Sequence, residues 1–222
     1  MREQRAYLDR LRRHHLDLVA RFLGASEGDL YTIDLFLSGV ATRSFRVVDG
    51  FLAVLDDWNI VSAAPLLRLQ LDNLTRVSYV VHAPRADEVV DELLLRNVEF
   101  RRMRAPDGER LLDWKLVQLA TDFHPWLPPV YEATSGWVHL SPLLARMGWH
   151  TESTDLGEHV LAGRFPLTPE DIPVSALEEL LGAMTKATEE LFGYFEVWEA
   201  RKGLPLGQTR PLGDREEPEG NP

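Results

Sequence analysis

The 222-residue chain contains no cysteine. That excludes disulfides, thiolate zinc sites and a cysteine nucleophile. It has no apolar run long enough to span a bilayer; the nearest, SYVVHAP, is short and carries His82. The N-terminus, MREQRAYLDRLRRHH, has no apolar signal core, so the expectation is a cytoplasmic protein without a secretory leader. Nucleotide-binding glycine loops and internal repeats are both missing. No His-x3-His or His-Glu-x2-His pair occurs, so neither a metal nor a cofactor is expected. Lysine is scarce, three residues against twenty-one arginines, a mark of genome base composition rather than of function.

The net charge is −11, and it is unevenly spread. Residues 1–104 carry fifteen acids and fifteen bases, so the whole excess of acid lies in residues 105–222. Such a chain has no general attraction to a phosphate backbone, which disfavours RNA as a partner. Two local basic stretches, REQRAYLDRLRRHH and RNVEFRRMR, read as solvated helix faces, and His14 and His15 as part of an exposed helix.

Apolar residues recur at helical spacing over most of the chain. Leu8, Leu11, Leu16, Val19 and Phe22 mark a first helix, and Ile33 to Leu55 a second, with Gly39 and Gly50 inside it as kinks or points of close helix approach. A third helix is expected over roughly 60–83, with Pro65 in its first turn, and a fourth over RADEVVDELLLRNVEFRRMR. A turn at APDGER, a short helix from Asp113, a further helix in VYEATSGWVHL and a long one from Pro173 complete the set. Residues 142–172 are rich in Gly, Pro and polar side chains and read as an irregular flap, with EHVLAGRF as a short extended segment. The tryptophans of the middle region read as core, with Trp126 as a candidate groove residue. The expected architecture is all-α: a single bundle of about six or seven helices over residues 1–205, with a disordered tail over 206–222.

Two polar ladders stand out. Tyr131, Ser135 and His139 are four apart and share one helical arc. A serine and a histidine at that spacing superficially resemble a nucleophile and its base, but one helix face rarely supplies the orienting group and the oxyanion site as well. Arg68, Asp72 and Arg76 form the second ladder. It is either a solvated salt-bridge stripe or, with Arg68 and Asp72 buried against Tyr131 or His139, a polar centre between two helices.

RLQLDN, followed later by Tyr-x3-Ser-x3-His-x-Ser ending at Ser141, resembles a widespread group of bacterial helical proteins of unknown function, distantly similar to the HEPN superfamily. Asp72 stands where that group more often has glutamate. The likeness covers roughly residues 40–200. It implies a helical bundle, a homodimer or another protein partner, and a setting in bacterial stress or phage defence. Many HEPN members are metal-independent ribonucleases, with an arginine, a polar residue and a histidine five to seven positions after the arginine. The nearest spacings here are Arg76 to His82 and Arg10 to His15, where Val77 and Leu11 follow the arginine instead of a polar residue. The leading expectation is a non-catalytic binding or assembly protein with Arg68, Asp72, Tyr131, Ser135 and His139 at its polar centre. The alternatives are an RNase-like effector, using His139 or His82 as acid/base and Arg68 or Arg76 on phosphate, and a small-molecule binder beneath the 142–172 flap.

Overall fold

The computed structural model describes residues 1–139, 141–153, 159–164 and 168–202; the 206–222 tail lies outside them. The chain forms α1 (Arg2–Gly24), α2 (Thr32–Asp56), α3 (Ile60–His82), α4 (Ala86–Leu94), α5 (Asp113–Ala120), α6 (Leu127–Val138), a five-residue α7 (Pro142–Arg146), β1 (Trp149–Ser153), β2 (His159–Gly163) and α8 (Val174–Arg201). It is an all-α bundle with one small two-stranded sheet. No helix among the described residues is long and apolar enough to cross a membrane.

α3 is the central helix and packs against α2, α4, α5, α6 and α8. Asn59 starts it by accepting from the Ser62 amide at 3.0 Å, which places Pro65 in the second turn rather than the first. Leu67, Leu71, Leu74, Val77 and Val80 are fully buried. Gln70, Asn73, Thr75 and Ser78 are buried as well, because neighbours enclose the helix on most sides. A central helix must therefore satisfy polar groups inside the fold instead of turning them to water.

α2 runs without interruption through both glycines. At Gly50 a side chain would meet Leu66 at 3.6 Å, so α3 approaches closely there, whereas nothing lies within 4 Å of a side chain at Gly39. The fourth helix ends at Leu94, well short of Arg104. Asn97 adopts a left-handed backbone (φ 54°), and the chain turns back to bury Phe100 beside Phe36 and Tyr79. Burying that ring outweighs continuing a charged helix into solvent.

The first helix also corrects two assignments. Leu16 is 68% exposed, and His15 takes its place in the buried stripe at 1%. His15 is four residues from Leu11, three from Leu18 and seven from Phe22, so the spacing itself selects it. The REQRAYLDRLRRHH stretch is otherwise a paired surface: Arg12 and Arg13 meet Asp9, and Arg5 meets Asp56.

β2 falls within EHVLAGRF and pairs antiparallel with β1, whose strand has no counterpart in the sequence reading. Trp149 packs on Gly163, where a Cβ would sit 3.0 Å from the ring. Both faces of the hairpin are open to solvent. Trp114 and Trp149 are 53% and 57% exposed, so these two rings are not core.

Candidate functional site

The i, i+4 spacing on α3 stacks Arg68, Asp72 and Arg76 on one side of the helix, and α6 packs against that side. The Arg68 guanidinium lies 3.1 Å above the centre of the Tyr131 ring. It pairs with Asp72 and sits 3.8 Å from the Asp113 carboxylate. Arg76 reaches the same two carboxylates, at 3.4 Å and 3.0 Å. Two arginines therefore share two aspartates across the gap between α3 and the start of α5. The Arg68 and Asp72 side chains are only 12% and 13% exposed, so this is an interhelical cluster and not a solvated stripe. Burial lowers the Arg68 pKa, and the Asp72 charge offsets part of that effect. A guanidinium starts so high that it stays cationic, so Arg68 serves as a positional clamp and not as a proton carrier.

The α6 ladder divides. Ser135 Oγ donates to the Tyr131 carbonyl at 2.8 Å, one turn back in its own helix. α6 stops at Val138, and His139 leaves helical backbone (φ −108°, ψ 151°) with its side chain exposed. Ser141 precedes Pro142, which disfavours helical geometry at Ser141 and makes the chain turn out beforehand. Tyr131 thus joins the Arg68 cluster, Ser135 is spent on backbone, and no hydrogen bond links Ser135 to His139 among the described residues. The Tyr131 hydroxyl is buried without a hydrogen-bond partner among the described residues. Tyr131→Phe keeps the ring beneath Arg68 and removes the orphan group, so its stability should equal the parent or rise by up to about 1 kcal/mol. A loss of several kcal/mol in urea denaturation would show that the hydroxyl has a partner in solution.

Arg76 and His82 do not converge. Arg76 turns to Asp72 and Asp113, whereas His82 stacks on Phe123 at 3.5 Å and 9°. His82 Nδ1–H donates to the Ser78 carbonyl at 2.7 Å, and burial lowers its pKa. Trp126 is half-buried, and its Nε1–H donates to Glu190 at 2.8–2.9 Å.

Three buried polar systems escaped the sequence reading. In the first, His15 Nδ1–H donates to the Leu11 and Arg12 carbonyls, and Nε2 accepts from Ser44 at 2.8 Å. Gln70 donates to Ser44 and Thr188, Asn73 donates to Gln70, and Arg43 donates to Asn73. Burial pushes the His15 pKa down to about 4, so the ring is neutral at neutral pH. In the second, Glu190 lies 2.6 Å from His124 Nδ1, though off the N–H direction. His124 Nε2 meets the Tyr194 hydroxyl at 2.8 Å, and that hydroxyl meets Ser78 at 3.0 Å. Burial pushes Tyr194 up to about 12. The third joins Lys202 Nζ and Asp34 at 3.1 Å, both side chains fully buried. Of these, only His15 had a sequence signal, its place in the apolar stripe. The second and third systems join residues from 66 to 168 positions apart.

No group of three or more His, Asp or Glu side chains that could hold a metal ion occurs among the described residues. Fold and site define an all-α bundle built round a clamped arginine–carboxylate cluster and a polar core. No family model matches this chain, and no curated protein or solved structure matches it.

Proposed function

We propose that this chain is a non-catalytic helical protein that works by binding and self-assembly, as a homodimer, in the bacterial stress or phage-defence setting that the HEPN-like resemblance implies. One observation carries the assembly reading: the β1–β2 hairpin holds Trp149 and Leu161 57% and 70% exposed, and nearly every residue of both strands is exposed. An isolated two-stranded hairpin is marginal in water and gains stability by packing its apolar side chains on another surface. An apolar cleft of about 310 Å³, walled by Leu67, Val130, Trp137 and Leu180, opens between α3, α6 and α8 and offers a seat on a second copy.

The charged cluster supports the non-catalytic part. Arg68 and Arg76 are already matched by Asp72 and Asp113, so neither presents an uncommitted cation to a scissile phosphate. Light scattering coupled to size exclusion tests the assembly reading. The parent chain should run at twice its 25.3 kDa mass, and Leu161→Asp should run as a monomer with an unchanged helical circular dichroism spectrum. A monomeric parent overturns the reading. Metal-independent RNA degradation that His82→Ala or His139→Ala abolishes would instead favour the RNase-like effector.

A further inference from the structure

The buried polar chain that begins at His15 ends on Arg43. Arg43 is half-buried, and its hydrogen-bond partner is the neutral Asn73 carboxamide oxygen. Among the described residues no carboxylate forms an ion pair with it, although Arg12, Arg68 and Arg76 all have one. Burial lowers its pKa and repulsion from Arg76 adds to the effect, while Asp72 opposes it from a distance. Among the described residues, Arg43, Arg68 and Arg76 together face only Asp72 and Asp113, which leaves one surplus positive charge. That surplus is held inside a chain of net charge −11.

Arg43 and Arg76 form the polar end of a cleft of about 230 Å³ between α2, α3 and the end of α4. Its walls are Leu35, Phe36, Val40 and Leu94. Leu35 and Leu94 are 56% and 40% exposed, so the mouth is apolar and open. Gly39 lines the space, and a side chain there would meet nothing within 4 Å.

We propose that this cleft binds an organic monoanion: a carboxylate on a short apolar body, the carboxylate on Arg43 and the body along Leu35, Phe36 and Leu94. Each part of the ligand answers a feature of the site. A guanidinium offers a planar fork of donors that matches a carboxylate. One surplus positive charge calls for one negative charge. The volume equals that of roughly eight waters at ~30 Å³ each, which suits a chain of a few carbons and not a nucleotide or a long lipid. The hydrogen bonds behind Arg43 hold it in place before a ligand arrives, which lowers the ordering cost of binding. The cleft involves neither the hairpin nor the α6–α8 groove, so the inference is independent of the assembly reading.

Octanoate is the probe, with 1-octanol as its uncharged counterpart and inorganic phosphate as an anion without an apolar body. Octanoate should raise the Tm of the full chain in a concentration-dependent manner, and neither control should. Gly39→Leu puts a side chain at the cleft from a Cβ with nothing within 4 Å and a better helix former in a helix interior, so the free variant should keep or raise its Tm. Its octanoate affinity, measured by calorimetry, should fall by at least about tenfold, as should that of Arg43→Gln. The proposal is overturned if octanoate leaves the parent Tm unchanged, if Gly39→Leu binds it undiminished, or if octanol or phosphate reproduces the shift.

Discussion

Asp34→Ala should cost this protein about 3–5 kcal/mol, the usual penalty for breaking one side of a buried ion pair. The Asp34 carboxylate is fully buried and meets Lys202 Nζ at 3.1 Å. It also accepts from Trp198 Nε1–H at 2.7 Å and from the Tyr31 amide at 2.8 Å. Its loss strands three donors, one of them an ammonium whose remaining partners are the Phe22 and Leu23 carbonyls. The contact also ties Lys202, just past the end of α8, to the end of α1 and the start of α2, so it joins residues 168 positions apart in the chain. Urea midpoints, with slopes compared, measure the effect. Asp34→Ala combined with Lys202→Met should recover a substantial part of the loss, because no uncompensated charge is left inside. A single-variant loss below about 1 kcal/mol would mean that water reaches the pair and that the C-terminal end of α8 is not locked there.

Mild acid should weaken the fold before most carboxylates titrate. His15 takes up a proton near 6.5 in the unfolded chain and at about 4 in the folded one. Between those values the unfolded state binds more protons, so stability falls as pH falls through that window and is fully present above pH 6.5. The shift corresponds to about 3 kcal/mol, lost progressively between pH 6.5 and 4. His82 and His124 are lowered as well, mainly by burial, and add to the same slope. Depressed aspartates such as Asp56 start from an unfolded value of 3.8, so their loss falls below the window. Urea denaturation at pH 7.0, 5.5 and 4.5 tests this. His15→Leu should start less stable at pH 7, because Ser44 loses its acceptor, and should show a shallower decline towards acid. Equal slopes in parent and variant would place the titrating group elsewhere.

The arginine–carboxylate cluster shows how far residue spacing reaches. Arg68, Asp72 and Arg76 were legible because i, i+4 spacing is a property of one helix, and so was their possible meeting with Tyr131. Asp113 was visible only as a helix start; its role in bridging the two arginines depends on where α5 lies against α3. His139 illustrates the converse. Spacing put it on the arc of Tyr131, but α6 ends one residue too early and turns the side chain out.

By itself the sequence determined the helical class, the existence of the long third helix, and the exclusion of cysteine chemistry. Those are consequences of local periodicity and of composition, which need no knowledge of neighbours. Only the tertiary structure decided which polar groups are buried and with whom. Lys202 finds Asp34, Gln70 finds Thr188, and Arg43 is left facing a cleft without a carboxylate. A hydrogen bond or ion pair depends on the distance between two atoms in space, and residues far apart in the chain acquire that distance only when the helices dock.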